Sequence, residues 1–488
     1  MSASAFPAVV VALALTLAPP GQTNAPATAL THVDGLGSIS FPNSGSAAAQ
    51  APFVRGVLLL HSFEYEPAAE SFRKAQAADA SFALAFWGEA MTYNHPLWQQ
   101  QDRTAALAAL GRLGPTPEAR AARAPTDRER QYLAAVEALY GSGSKHDRDQ
   151  AYMRAMEHLQ DAYPADMEAR AFHALSILGS RDGVRDFAAY MRAAATVQPV
   201  FDANPDHPGA AHYLIHSFDD PVHAPLGLPA ARRYSTIAPA AAHAQHMTSH
   251  IFMALGMWDD VVAANERASA EQNAEAAKRG ARPSVCGHYT SWLQYGYLMQ
   301  GQIAKAEKMM DACSQRIADK PSQSEISIFV DMRARQIIDT GDWTLASRWP
   351  WPGAAPAMPV KIENDFTNAF AALQRGDLAS ARAFVAQSEP SDAEVRPYFQ
   401  ELRGMLAIAD GRADEGIKTL RAAADAEDAM PFEFGPPAIA KPTSELLGEQ
   451  LLKLGQTDDA RAAFERAAER TPGRTPVVAG LKATAKQP

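Results

Sequence analysis

The chain has 488 residues, of which 47% are hydrophobic, so it can bury a large core in two or three domains or in one long repeat array. The formal net charge is −10 with both signs interspersed, which argues against nucleic-acid binding. Only Cys286 and Cys313 occur, so a disulfide scaffold and a CxxC zinc site are excluded, and a single disulfide between these two stays open.

The N-terminal residues 1–29 have the organisation of a cleaved signal peptide. An apolar stretch from Val9 to Ala18 is followed by a small-residue segment ending near Ala27 or Ala29, although no Lys or Arg precedes the stretch. We therefore expect export to the periplasm or beyond, with residues 30–51 as an extension. No segment reaches the about 20 apolar residues of a membrane span, so we expect a soluble mature protein.

The remaining chain is predicted to be all-α, because alanine-rich segments with helical periodicity dominate and alternating strand patterns are absent. Helix pairs are expected over residues 52–348. An irregular stretch at residues 113–126 ends where Thr126 or Asp127 caps a new helix. The Pro-rich residues 349–361 break helical structure and predict a boundary near residue 355, before a second array at residues 362–488.

A helix-pair repeat is clearest from Leu446 to Pro476, where Gly455 separates two helices and packing positions follow at Ala460, Phe464 and Ala467. This segment closely resembles the tetratricopeptide repeat, and degenerate copies cover most of the chain from about Pro52. The resemblance, which extends to secreted bacterial tetratricopeptide proteins, implies an α-solenoid in two arrays. It does not imply one activity, because fold does not determine function.

Histidines recur at the 34-residue period of this repeat. Four pairs have this separation: His61 and His95, His173 and His207, His212 and His246, His216 and His250. Equivalent positions in successive repeats lie at the same height on the same face. The spacing therefore predicts a multi-histidine site.

Repeat phasing places the histidines on three neighbouring helices. His243, His246 and His250 precede Gly256 at spacings of three and four, so they share one helical stripe. In the tetratricopeptide family the matching positions line the concave groove. Pro239 matches the proline that closes a repeat. Pro208 is then the first residue of the first helix in that repeat, and Asp206 is its predicted cap. That register sets His212 and His216 level with His246 and His250, and His288 aligns with His243.

Imidazoles on packed helices can converge on one ion, and the tentative metal is zinc or copper. The candidate ligands are the clustered and aligned histidines, namely His212, His216, His246, His250, His243, His288, His61 and His95. Glu89 and Asp220 are candidate bases for water activation. Both residues also have a structural interpretation. Glu89 lies on a mostly apolar helix, where a buried carboxylate needs a partner. The loop that contains Asp219 and Asp220 can cap a turn, or its carboxylate can orient a ligand histidine.

Three functions follow from this pattern. The leading hypothesis is a protein that binds a transition metal in its groove. The alternatives are a metal-dependent hydrolase or oxidoreductase that uses the same histidines, and a metal-free scaffold for a peptide or a protein partner. Small molecules are a further ligand class. The motifs of HEXXH, GXSXG and P-loop enzymes are absent from the sequence, which leaves those hydrolase classes without support.

Overall fold

The computed structural model describes residues 29–181, 185–351, 358–387, 395–432 and 434–485. The predicted signal peptide up to residue 28 and the predicted boundary near residue 355 lie outside these ranges. The described chain is all-α apart from two small hairpins, as predicted.

The helices follow one another in pairs along the chain. In order they are α1 (Ala47–His61), α2 (Tyr65–Ala78), α3 (Ala83–Met91), α4 (Arg103–Leu113), α5 (Pro117–Ala121), α6 (Asp127–Leu139), α7 (Lys145–Ala162), α8 (Met167–Gly179), α9 (Phe187–Ala203), α10 (Pro208–Ser217), α11 (Ala224–Ile237), α12 (Ala242–Ala254), α13 (Trp258–Lys278), α14 (His288–Met299), α15 (Ile303–Ile317), α16 (Gln323–Thr340), α17 (Met358–Gln374), α18 (Leu378–Val385), α19 (Arg396–Ala409), α20 (Ala413–Asp428), α21 (Thr443–Lys453), α22 (Thr457–Arg470) and α23 (Thr475–Ala483). Two 3-10 helices span Pro96–Trp98 and Trp343–Ser347.

Both hairpins are antiparallel. Strand β1 (Thr31–Val33) pairs with β2 (Gly37–Ile39), with Thr31 opposite Ile39. Strand β3 (Asn94–His95) pairs with β4 (Gln100–Gln101), with Asn94 opposite Gln101. His95 therefore lies in a short strand beyond α3, and the prediction that places it level with His61 on an adjacent helix is wrong.

Local sequence signals set the helix starts. Thr126 caps α6 in a capping box with Glu129, and Pro208 is the first residue of α10, both as predicted. The cap of α10 is His207, whose Nδ1 accepts from the Ala210 amide at 3.1 Å, and not Asp206. Helix α1 begins at Ala47, before the predicted start near Pro52, because an alanine run extends it toward the N-terminus.

The predicted linker is only partly irregular. Trp349 is buried beside Cys286 and Met310, whereas α17 already begins at Met358 within the linker predicted for residues 349–361. Pro359 is compatible with this start because the first helical turn does not use its missing amide hydrogen. Cys286 and Cys313 are joined in a disulfide, which ties the segment before α14 to α15.

The C-terminal helix pairs return to contact the N-terminal ones near the histidines. Trp258 Nε1 donates to the Gly473 carbonyl at 2.7 Å, and Arg474 donates to Tyr295 Oη at 3.0 Å. Gly256 adopts φ +68° at the end of α12, and a Cβ there would lie 2.7 Å from the Pro472 carbonyl oxygen. This turn therefore needs glycine both for its backbone conformation and for the close approach.

The repeat packing follows the tetratricopeptide pattern at α21 and α22, where the predicted packing residues Ala460, Phe464 and Ala467 are all buried. None of the helices within the described ranges combines the length and the apolar character needed to cross a membrane.

Candidate metal centre

Three consecutive first helices of repeats, α10, α12 and α14, carry the clustered histidines. His212 and His216 lie one turn apart on α10, and His243, His246 and His250 follow the predicted stripe on α12. His288 is the first residue of α14. Six imidazoles from these three helices therefore lie close together.

The imidazoles form two groups of three. The inner histidine group consists of His212, His216 and His243, and all three residues are buried. The outer histidine group consists of His246, His250 and His288, of which His288 is exposed. Within each group, one ring nitrogen from each residue lies within 4.8 Å of the others. Each group thus has the donor number of a catalytic zinc site.

Two imidazoles of the outer histidine group point the same nitrogen at each other. His246 Nε2 and His250 Nε2 are 3.1 Å apart. Two nitrogens bound to one zinc ion at tetrahedral angles lie about 3.3 Å apart, given Zn–N distances of about 2.0 to 2.1 Å. The pair is therefore spaced as two ligands of one ion.

The opposite ring nitrogens of this pair are held by protein acceptors. His250 Nδ1 lies 2.5 Å from Asp219 Oδ2, so it donates to the carboxylate. His246 Nδ1 lies 2.8 Å from Asn265 Oδ1, and the Asn265 amide nitrogen donates to the Val261 carbonyl, which identifies Oδ1 as an acceptor. With Nδ1 protonated, each ring in its neutral form presents an Nε2 lone pair to the same point.

The inner histidine group is oriented in a related way. His212 Nδ1 donates to the His61 carbonyl at 2.7 Å, and its Nε2 lies 3.0 Å from His216 Nε2. His243 Nε2 is buried and has no hydrogen-bond partner among the described residues. A buried ring nitrogen without a partner is costly, and coordination of a cation would satisfy it.

Burial favours the neutral form of five clustered imidazoles, those of His212, His216, His243, His246 and His288. It lowers the pKa of His212 to about 3. Burial and neighbouring imidazoles lower the pKa of His216, His243 and His246 well below the ordinary value of 6.5. His288 is exposed as a residue, but its ring packs against His246 at 4.5 Å, and burial lowers its pKa to about 4. Neutral imidazole is the form that binds a metal.

Aromatic side chains surround both groups. Phe63 contacts all three inner imidazoles, with a closest ring separation of 4.3 Å to His212, and its backbone adopts the left-handed conformation at φ 57°. Trp292 lies 4.4 Å from the His250 ring and 4.7 Å from the His246 ring. A bulky residue at positive φ is strained, and such strain concentrates at functional sites.

His61 belongs to a separate buried network. Its Nε2 donates to Glu168 at 2.8 Å, while its Nδ1 lies 2.9 Å from Tyr213 Oη. His207 Nε2 lies 3.1 Å from the other Glu168 oxygen, and His207 Nδ1 already accepts from the Ala210 amide. Because every ring nitrogen has a partner, this set serves as a hydrogen-bond network, and His61 supports the inner histidine group only through its carbonyl oxygen.

His95 and Glu89 are not brought to the histidine groups. The His95 ring stacks on Tyr65 at 3.9 Å, and its Nε2 lies 3.2 Å from the Thr92 carbonyl. Glu89 is buried and accepts from Gln76 at 2.6 Å, and it is paired with Arg73 and Arg112. These contacts fit a structural role for Glu89, because its buried carboxylate is paired with two arginine side chains.

Asp219, and not Asp220, is the loop carboxylate that orients a candidate ligand. Asp220 pairs with Arg185 at 3.0 Å and accepts from the backbone amides of Val222 and His223, so it closes the turn. The sequence indicated this loop and predicted Asp220 as a candidate base, whereas Asp219 is the aspartate that contacts a candidate ligand. Asn265 stands at a repeat position where an aromatic residue is usual, and this departure from the repeat pattern is the sequence signal for its contact with His246.

Comparison with known proteins adds no functional assignment. No protein-family model and no curated protein sequence matches the chain. Among solved structures, the human IFIT1 dimer with m7Gppp-AAAA is 12% identical, covers 91% of this chain and 92% of its own, and has a TM-score of 0.36. The APC/C hetero-tetramer Cut9-Hcn1 is 9% identical at 91% and 78% coverage with a TM-score of 0.36. The P58(IPK) TPR domain is 12% identical at 90% and 97% coverage with a TM-score of 0.20. Likenesses this low say nothing about ligand or activity.

Proposed function

We propose that this protein binds a transition metal, zinc or copper, through the outer histidine group. The observation that carries the proposal is the pair of Nε2 lone pairs of His246 and His250, which face each other at 3.1 Å while both Nδ1 atoms donate to Asn265 and Asp219. Two lone pairs in this arrangement repel each other. A cation between them turns the repulsion into two coordinate bonds.

A proton on His246 Nε2 is a poor candidate for the position between the two rings. Burial and the neighbouring imidazoles lower the pKa of His246 well below its ordinary value, so protonation of this ring is unfavourable at neutral pH. A divalent ion can bind both nitrogens and the nearby His288 ring at once. Three neutral imidazoles suit zinc and copper, whereas magnesium and calcium prefer oxygen ligands.

Burial also distinguishes this proposal from the metal-free peptide scaffold. Five of the six clustered histidines are buried, and Phe63 and Trp292 pack over their rings. A peptide in a groove cannot reach side chains that have almost no exposed surface. The prediction that these positions line an open groove is therefore not supported at the histidines themselves, and a small ion fits them better.

The test is elemental analysis of tag-free protein purified from the compartment in which it matures. We expect near-stoichiometric zinc or copper in the wild type and loss of the metal in a His246→Ala, His250→Ala double variant. The matched control is His146→Ala with His158→Ala, which removes two exposed histidines from α7. Circular dichroism monitors whether each variant folds.

A His288→Ala variant keeps the test informative if the double variant does not fold. His288 is exposed and lies at a helix start, so its replacement should disturb the fold little. This variant should fold normally and bind metal more weakly. If the wild type contains no zinc or copper and takes up neither when they are added, the metal proposal is wrong. A screen for peptide or protein partners would then be the next step.

Export forms part of the same proposal. The organisation of residues 1–29 and the disulfide between Cys286 and Cys313 both fit an oxidising compartment such as the periplasm. Mass spectrometry of the mature protein should find a new N-terminus near residue 28 or 30. An N-terminus at Met1 in the purified protein would contradict export by a cleaved signal peptide.

A further inference from the structure

The two histidine groups are direct neighbours. The ring centroids of His216 and His250 are 6.2 Å apart, and those of His243 and His246 are 6.3 Å apart. Each of these pairs joins one residue of the inner histidine group to one residue of the outer group. The two groups are therefore adjacent across these two ring pairs.

The inner histidine group has its own signs of a ligand site. His243 Nε2 is buried without a partner in the described structure, and His212 presents its Nε2 lone pair because its Nδ1 donates to the His61 carbonyl. The ring of Phe63 is held against all three imidazoles by a backbone conformation that phenylalanine rarely adopts. The group is thus preorganised and protected from water.

We propose that the inner histidine group holds a second ion, and that the two ions form a pair that shares one small bridging ligand such as hydroxide. This inference rests on the proposed metal binding at the outer histidine group. Paired metal ions about 3.5 to 4 Å apart act as a clamp on a small oxygen ligand or substrate. Six neutral imidazoles leave the charge of two divalent ions to be balanced by an anionic bridge and by nearby carboxylates.

Two buried carboxylates, Asp219 and Glu168, and the half-buried Glu64 lie next to the candidate ligands or their supports. Asp219 accepts from His250, and Glu64 accepts from the backbone amide of His243 at 3.1 Å. Glu168 binds His61, whose carbonyl oxygen accepts from His212. Their placement around both groups supplies negative charge to the pair without occupying a coordination position.

The structure also gives the order in which the groups fill. In the metal-free inner histidine group, His216 Nε2 can carry a proton and donate it to His212 Nε2 at 3.0 Å. In the His246 and His250 pair both Nδ1 atoms already donate, so when both rings are neutral neither Nε2 carries a proton. His288 also exposes the outer group to solvent. The first ion therefore binds at the outer group and the second at the inner group.

Copper titration of the metal-free wild type tests this proposal. At one equivalent of Cu²⁺ we expect an electron paramagnetic resonance signal of one spin per protein. At two equivalents we expect elemental analysis to find two bound ions and the signal to fall to a small fraction, because bridged Cu²⁺ ions couple antiferromagnetically. Zinc should also bind at two per protein, and Cu²⁺ should displace it, because Cu²⁺ binds a given nitrogen site more tightly than Zn²⁺.

Variants separate the two groups. A His212→Ala, His243→Ala variant should bind one copper ion and keep its signal when excess copper is added. The His146→Ala, His158→Ala control should behave as the wild type. Since the stoichiometry and the signal are measured on the wild type, the test remains decisive even if an inner-group variant does not fold.

The outcomes are distinguishable. If no metal binds, the proposed function itself is wrong. If the wild type binds a single ion at every copper concentration, the outer site stands and the second site is overturned. If two ions bind and the signal grows to two full spins per protein, the shared bridge is overturned.

Discussion

His250 and Asp219 are joined by a hydrogen bond of 2.5 Å between Nδ1 and Oδ2, across 31 residues of sequence. This contact aims the other nitrogen of His250 at His246. It connects the loop after α10 with the helix α12, so the position of a candidate ligand depends on the packing of two repeats.

Replacing that carboxylate should weaken metal binding without abolishing it. In Asp219→Asn, His250 loses a charged acceptor, and we expect metal affinity to fall about 10- to 100-fold, as for other supports of ligand histidines. Competition with a chelator of known affinity measures the change. The neighbouring Asp220→Asn is the control, since it breaks a buried pair with Arg185 and should lower stability by about 3 kcal/mol with little effect on affinity.

Asn265 should matter for the metal more than for the fold. In Asn265→Leu, His246 Nδ1 loses its acceptor, so the ring is no longer fixed in the tautomer that exposes Nε2. We expect at least about a tenfold weaker affinity by the same chelator competition. Asn265→Asp retains an acceptor and should remain closer to the wild type. Equal affinities in the leucine variant and the wild type would contradict this role.

The metal-free protein should lose stability between about pH 6.5 and pH 4. The folded-state pKa values of His212 and His288 are about 3 and 4, against an ordinary value of 6.5, so the unfolded chain binds protons in this interval that the folded chain does not. The buried His212 then contributes up to about 1.4 kcal/mol per pH unit, the exposed His288 contributes less because solvent screens its charge, and stability falls as pH falls. Thermal melts at several pH values measure this.

Glu168 should affect stability in a lower pH interval than the buried histidines do. Burial raises the pKa of Glu168, but the charges and hydrogen bonds of His207 and His61 outweigh this effect and lower it to about 2. Its contribution to stability is therefore lost only as the pH falls from about 4.5 toward 2.

A melting temperature that stays constant from pH 7 to pH 4 in the metal-free protein would contradict the prediction for the buried histidines.

Glu89 should prove structural. In Glu89→Gln, Arg73 and Arg112 lose their shared charge partner, and because both arginines are half-exposed we expect a loss of about 1 to 3 kcal/mol in the free energy of unfolding. Urea denaturation measures this loss. Metal content should be unchanged, whereas reduced metal affinity in a folded variant would restore Glu89 as a candidate member of the site.

The disulfide should support the outer histidine group indirectly. Cys286 lies two residues before His288 and is bonded to Cys313 across a separation of 27 residues. Loss of a disulfide that closes a loop of this length costs about 3.5 kcal/mol in the chain-entropy description. We expect Cys286→Ser with Cys313→Ser to melt earlier, and to bind the first ion more weakly because the start of α14 is less fixed. An unchanged affinity would limit the disulfide to a stabilising role.

The sequence alone determined the helices and the register of the histidines. A helix repeats every 3.6 residues, and the tetratricopeptide period is 34 residues, so His212, His216, His246 and His250 are placed by local geometry and by repeat length. The same local signals predicted the starts of α6 and α10. They failed for His95, because the chain leaves the helix at Thr92 and enters a short strand.

The tertiary structure alone decided which of these side chains meet, and in what protonation state. Asp219 and Asp220 are adjacent in sequence, yet one turns to His250 and the other to Arg185, a choice set by the packing of loops against different helices. Phe63 reaches the inner histidine group from the end of α1, about 150 residues before His212 in the sequence. Such long-range contacts, and the burial that lowers the histidine pKa values, depend on how helices stack and leave no periodic pattern in the sequence.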